Sequence, residues 1–425
     1  MKARWLLLLF LLGLIVTLGV AQFESTPGYM DAEYYFAGGQ RLAQGAGFSE
    51  PFLWNYLDSP AGLPHASHLY WMPLASILAA VGMRIAGGVS FFAGRWLFIL
   101  LTALVAPLTG WTAFRLTGKA GQALLAGILA AFSGFYLPYA ATTDTFAVTM
   151  LLGTMFLLIS GVFWSAQYPR KQLFLAGSLG LIAGFMHLSR ADGILWLGLA
   201  GLIVITKLVQ VSRLQKIDNA HSQQDTSSSR MIARGVALLV VVGVGYLVVI
   251  SPWYLRNIQM FGSVFSPGSN RTLWLTDYDQ MFSLDPANLN VETWLASGIQ
   301  GILKPRLDAL TKNLTTALIV QGGIFLVPLI LAGGWAHRKD ARVRIAGLAW
   351  LMIFLAMTVI FPLAGYRGGF LHSGAAIQPM LWALAPSGLD VFLRWGSRAR
   401  KWNLRQAWRV FAVGAAGLAI LTSGL

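Results

Sequence analysis

Apolar residues in this chain come in long unbroken runs separated by polar loops, not in the narrow stripes of a soluble helix. Residues 4–22, 91–114, 235–254 and 343–364 each reach the roughly 20 apolar residues that crossing a hydrocarbon core requires. Comparable runs at 120–139, 145–165, 173–188, 192–211, 318–336, 375–393 and 408–424 bring the expected number of transmembrane helices to about eleven. The first run follows a short basic start and ends in small residues near Ala21, as a signal peptide does. It is long for a signal and reads as a retained first crossing. The expected fold class is therefore an all-α polytopic membrane protein.

Segment 71–88, WMPLASILAAVGMRIAGG, is apolar but is interrupted by Arg84 after a short run, which predicts an interfacial or re-entrant helix that does not span. Parity supports this, because a full crossing there would invert every later loop. Polar residues then divide the chain into a module over 1–211 with an outer loop at 23–70, a Ser-, Gln- and Asp-rich linker at 212–233, and a module over 234–425 with an outer loop at 255–317. No repeat of solenoid length and no inverted repeat is evident.

Composition agrees with the pattern: 56% of the 425 residues are hydrophobic and 11% charged, against roughly 25% charged in a soluble domain. The net charge of +15 would suggest nucleic acid in a soluble protein, but here its distribution decides the matter. Basic residues gather in alternate loops, at Lys2/Arg4, Arg115/Lys119, Arg170/Lys171, Arg213 to Arg234, Arg338 to Arg344 and Arg394 to Arg409, which predicts that these loops and the N-terminus are cytoplasmic. Most acids lie in the other loops, so the expected partners are membrane lipids and outer ligands and not nucleic acid. The chain has no cysteine, which excludes disulfides and thiolate metal sites.

Chemistry is expected at the acid-rich face. In YMDAEYYFAGGQRLAQG, Asp31 and Glu33 fall at the start of a helix, where its positive end favours anions. Either they cap an interfacial helix or they serve a site. Asp144, in TTDTFA, opens another helix; it is either an N-cap or an acid facing a cavity, because an ionisable group near hydrocarbon is costly. Asp58, His65 and His68 share NYLDSPAGLPHASHLYWMP. His-x-x-His with a nearby acid can hold a metal, but Pro64 and Pro73 favour an irregular loop contacting an acceptor or headgroup. His372 falls on the same expected side and could meet them. Trp54, Tyr56, Tyr70, Trp71, Trp253, Tyr254 and Trp274 fit an interfacial aromatic belt.

The acidic pair after the first helix, followed by TTDTFA, GLIAGFMHLSRADGILWL and SPWYLRNIQMFGSVFSP, resembles the GT-C superfamily of polyprenyl-phosphate-sugar glycosyltransferases over about residues 5–390. It is most similar to the branch with protein O-mannosyltransferases and lipid A aminoarabinose transferase, although the pair here is Asp-Ala-Glu and not adjacent Asp-Glu, and the C-terminal part is short. The resemblance implies an inverting transfer of sugar from a polyprenyl phosphate to a protein, lipid or glycan acceptor at the extracytoplasmic face, as in a bacterial plasma membrane. It implies Asp31 as base, with Glu33 and Asp144 in support, and no required cofactor, a divalent cation being left open. A phosphate leaving group needs cations, so Arg256 above all, then Arg190, Arg271 and Arg367, are candidate donor-phosphate ligands; the alternative for each is a headgroup anchor. The rival function is a lipid-linked-sugar transporter or flippase, which would place acids at mid-helix and not at outer ends.

Overall fold

The computed structural model describes residues 1–218, 227–283 and 285–424. Most of it is helix. In chain order the first nine α-helices are α1 (Ala3–Ala21), α2 (Met30–Ala43), α3 (Leu74–Ala86), α4 (Phe91–Thr117), α5 (Ala120–Ala131), α6 (Phe146–Ser165), α7 (Pro169–Ser189), α8 (Ile194–Asp218) and α9 (Ser227–Phe261). Long helices at Gly298–Thr315, Ala341–Leu355, Gln378–Arg400 and Leu404–Ser423 complete the bundle.

Among the described residues, eight helices are long and apolar enough to span a bilayer, or nine if the pair Pro362–Gly374 and Gln378–Arg400, bent by 63°, is one broken span. This is an integral membrane architecture, but it does not reproduce the expected eleven uniform spans. Residues 120–139 form the 12-residue α5 and a 3-10 turn at Gly134–Tyr139, and 318–336 become a π-helical stretch at Thr316–Gln321 and a 10-residue helix at Val327–Ala336. The physical reason is that apolar composition sets burial, whereas Ser133, Gly134 and Pro138, or Gly322 and Gly323, break the helix within the run. At 71–88 the 13-residue α3 ends at Gly87 with φ 70°; at 1.5 Å per residue it covers about 20 Å, well short of the hydrocarbon thickness. The linker expected at 212–233 lies partly outside the described residues; α8 runs into it as far as Asp218, and α9 begins in it at Ser227.

Small residues set the packing, as van der Waals contact between helices requires where lipid is as apolar as the side chains. On α7, a Cβ at Gly180 would collide with the Val242 carbonyl of α9. On α2, a Cβ at Gly39 would come within 2.7 Å of Ala79 Cβ, so this glycine lets α3 lie directly against α2.

The polar contacts sort to two ends. At one end Lys119 pairs with Asp390 at 2.9 Å, Arg342 donates to the Arg115 carbonyl at 3.0 Å, and Lys207 Nζ bonds the carbonyls of Phe163, Trp164 and Ala166 at 2.5–3.0 Å. At the other end the first loop, with its two-residue antiparallel pairing of Ser49–Glu50 and His65–Ala66, packs under the later loop. Ser266 Oγ donates to the Leu69 carbonyl at 2.8 Å, and Arg271 donates to the Leu57 carbonyl. The candidate chemistry lies at this second end.

Candidate active site

Helix α2 begins without a side-chain cap: Tyr29 is extended at its N-cap, and Asp31 and Glu33 occupy the first turn. The TTDT sequence positions it. Thr142 Oγ1 donates to the Pro27 carbonyl at 3.0 Å and Thr143 Oγ1 to the Ala32 carbonyl at 2.8 Å, pinning the start of α2 against the entry to α6. Asp144 is thereby set beside Asp31. Its Oδ2 accepts from the Tyr29 hydroxyl, and its Oδ1 accepts from the Thr145 backbone N–H and, at 3.0 Å, from Thr145 Oγ1.

His372 completes the group. Its Nε2 is 3.8 Å from Asp31 Oδ2 and its Nδ1 3.7 Å from Asp144 Oδ1. One ligand atom from each of the three residues lies within 4.8 Å of the others. Asp144 is 2% exposed, whereas the Asp31 side chain is 24% exposed and open to solvent. Burial alone would raise the Asp144 carboxyl, but the His372 imidazole and the Thr145 donors outweigh it and hold it below its ordinary value.

This group borders a cavity of about 780 Å³ that Asp31, His372, Arg190, Arg306 and Arg367 all line. Arg190 is held by the RADG turn: its Nε donates to Asp192 Oδ1 at 3.0 Å, and Gly193 packs so closely on the Met186 carbonyl that a Cβ would not fit. Burial would lower the Arg190 guanidinium, but Asp192, Tyr35, Asp144 and Asp31 outweigh it and raise it further, so it stays a cation. Arg367 stacks on Tyr278, 4.7 Å from the ring centre, and Arg306 lies 5.5 Å from the Trp294 ring. Tyr35 and Tyr70 are raised by burial and remain hydroxyl donors.

The other expected site residues lie elsewhere. Glu33 is exposed and does not line the cavity, so the acidic pair contributes one member to it. Arg256, expected to lead the phosphate contacts, instead donates to the carbonyls of Ser67 at 2.8 Å and Phe48 at 3.4 Å and packs on Trp253, and Arg271 is spent on Leu57. Arg256 thus ties α9 to the first loop, and Arg271 ties the later loop to it. His65 sits between Asp58 at 2.9 Å and Glu50 at 3.0 Å, whereas His68 bridges Ser67 at 2.8 Å and Ser76 at 2.9 Å. The two imidazoles therefore do not converge, and His372 meets Asp31 and Asp144 and not this loop. Burial pushes His68 down to about 3, which makes it a neutral bridging group.

Sequence reasoning missed Tyr29, Arg306 and the pinning threonines. Tyr29 had a signal, standing two residues before Asp31, but Arg306 lies in a charged stretch, ILKPRLDALTK, with nothing to separate it from a solvated helix face.

No protein-family model matches the chain, and no curated protein does so by sequence. Solved structures match by fold. The archaeal oligosaccharyltransferase AglB from Archaeoglobus fulgidus, in complex with an inhibitory peptide and a dolichol-phosphate, superposes with a TM-score of 0.52 at 14% identity, over 99% of this chain and 55% of that one. An oligosaccharyltransferase of Archaeoglobus fulgidus in complex with Zn and sulfate gives 0.51 at 15%, over 98% and 52%. ArnT from Cupriavidus metallidurans in the apo state gives 0.51 at 14%, over 99% and 76%. The chain thus spans about half the length of AglB. This chain thus shares the fold of AglB and ArnT.

Proposed function

We propose that the chain is an inverting glycosyltransferase that moves a sugar from a polyprenyl-phosphate donor to a protein, lipid or glycan acceptor at the extracytoplasmic face of a bacterial plasma membrane. The observation that carries this reading is the meeting of Asp31 and His372, with Asp144 buried beside them, at the wall of a cavity also lined by Arg190, Arg306 and Arg367. Neighbours of the same fold are transferases, one of them in complex with dolichol-phosphate and a peptide.

In the proposed reaction the Asp31 carboxylate takes the acceptor proton as the acceptor oxygen attacks the anomeric carbon. The bond from that carbon to the phosphate oxygen breaks on the opposite face, and its electron pair leaves with the polyprenyl phosphate. General-base assistance of this kind contributes typically 10²–10⁴-fold. The departing phosphate gathers negative charge, which the guanidinium groups of Arg190 and Arg367 are suited to hold in bidentate fashion. Asp144 is buried and engaged by Tyr29, Thr145 and His372, which suits it to orient the site more than to exchange protons.

A divalent cation fits the donor set, since two carboxylates and an imidazole suit Mn²⁺ or Zn²⁺ and His372 Nδ1 is a buried atom without a hydrogen bond. Asp31, Asp144 and His372 would hold it, and when bound it would supply positive charge to the reacting groups.

Purified chain in lipid nanodiscs, given a polyprenyl-phosphate sugar and candidate acceptors, tests the proposal. Consumption of the donor with appearance of an inverted glycoside supports it. Movement of unaltered donor across a vesicle membrane without glycoside formation would support the transporter instead.

A further inference from the structure

One ionisable side chain in the cavity wall has no part in the reaction above. His187 lies in the last turn of α7, three residues before the extended C-cap Arg190, and so about one turn deeper in the bundle. It is 4% exposed and lines the same cavity. Its Nδ1 lies 2.6 Å from Tyr246 Oη, and that hydroxyl lies 2.6 Å from Tyr254 Oη, both tyrosines coming from α9. Among the described residues, no protein group bonds Nε2.

A neutral imidazole must donate from one nitrogen and accept at the other, so whatever fixes Nδ1 also decides what Nε2 offers. Each tyrosine has one proton to give. If Tyr254 donates to Tyr246 and Tyr246 to Nδ1, every hydroxyl proton in the chain is used and Nε2 carries a proton directed away from α9. A purely structural histidine would have both nitrogens satisfied by protein, as buried polar groups usually are. Here one nitrogen is anchored by two tyrosines and the other is left for an occupant of the cavity.

We propose that His187 is a binding residue for the headgroup of the lipid carrier, with Nε2–H donating to a phosphate or sugar oxygen, and that Tyr246 and Tyr254 are positioning residues that set its tautomer. This inference rests on reading the cavity as a polyprenyl-phosphate-sugar site. The chemistry it recognises is an acceptor oxygen one helical turn below the Arg190 guanidinium.

The test uses the full chain in nanodiscs, with undecaprenyl phosphate as the binding probe and the sugar-bearing donor for kinetics. His187→Phe should weaken undecaprenyl phosphate binding or raise the donor KM about tenfold, while His187→Gln, which keeps an N–H donor, retains most of the affinity. Weakened binding of the bare phosphate assigns the contact to a phosphate oxygen; a raised KM for the sugar donor alone assigns it to the sugar. Tyr246→Phe should raise the donor KM several-fold with kcat nearly unchanged. If the His187 variants bind and turn over as the parent does while Arg190→Ala weakens binding, this inference is wrong and the cavity reading stands. If the parent chain itself binds no undecaprenyl phosphate, the cavity reading fails and takes this inference with it.

Discussion

His372 Nδ1 lies 3.7 Å from Asp144 Oδ1 while its Nε2 lies 3.8 Å from Asp31 Oδ2, so a single imidazole spans the gap between an acid in the first turn of α2 and one in the turn that enters α6. The ring is held by stacking on Phe146, with centroids 4.3 Å apart at an angle of 22°. Both separations are too long for direct hydrogen bonds, which leaves space among the three groups for a ligand atom.

The more exposed acid is the one assigned to proton transfer. Asp31→Asn should therefore reduce sugar transfer by roughly 10²–10⁴-fold with an unchanged melting temperature, because among the described residues nothing hydrogen-bonds this side chain, and His372 lies 3.8 Å away. Asp144→Asn should lower both activity and melting temperature, since it disturbs the contacts to Tyr29 and Thr145. Parallel transfer assays and thermal melts of the two variants separate these outcomes, and equal effects on stability would remove the division of roles.

The arginines should split in the same way. Arg256→Ala removes two bonds to backbone carbonyls and the packing on Trp253, so it should destabilise the fold by about 2 kcal/mol and leave polyprenyl phosphate affinity largely intact. Arg367→Ala, whose guanidinium rests on Tyr278 at the cavity wall, should do the reverse. Chemical or thermal unfolding alongside lipid-phosphate binding measures both, and tighter dependence of binding on Arg256 would reverse the assignment.

Burial raises the Glu24 carboxyl from 4.5 to about 7, with Arg95 opposing. A folded value above the unfolded one means that the folded chain binds the proton more tightly, so this stabilisation is full below about pH 4.5 and is lost as pH rises through about 7. Melting temperature should fall across that window in the parent chain, and Glu24→Gln should flatten the slope. An identical slope in both proteins would show that Glu24 is not the group responsible.

Gly39 has no room for a side chain, since a Cβ would meet Ala79 Cβ at 2.7 Å. Gly39→Leu should push α2 off α3, cost about 1–3 kcal/mol by overpacking and displace Asp31 enough to impair transfer. Gly19→Leu, where nothing lies within 4 Å, is the matched control. Similar melts for both variants would contradict the close packing.

What could be read from the sequence was what depends on local composition. The apolar runs gave α1 and α6 to within a residue at each end and α4 and α7 to within four, and an acid at the head of a helix singled out both Asp31 and Asp144 as candidates. The break at Gly134 and the π-helical stretches at 316–321, 356–360 and 365–369 were not legible, because an apolar run alone does not distinguish a broken helix from a continuous one. His372 was found as a candidate but given the wrong neighbours, since its position depends on that irregular segment. The arginines were misgrouped for a related reason: charge at a helix end identifies a cation, but only tertiary contacts reveal that Arg256 faces backbone carbonyls while Arg306 faces the cavity.

The most direct test of the central claim is a structure of the chain in a lipid nanodisc with undecaprenyl phosphate bound. The account requires the phosphate in the cavity, within about 3 Å of the Arg190 or Arg367 guanidinium, with the Asp31 carboxylate facing it across the space where a sugar would sit. A phosphate held by Arg256 and the first loop, or at the end of the bundle that carries Lys119 and Arg342, would contradict it.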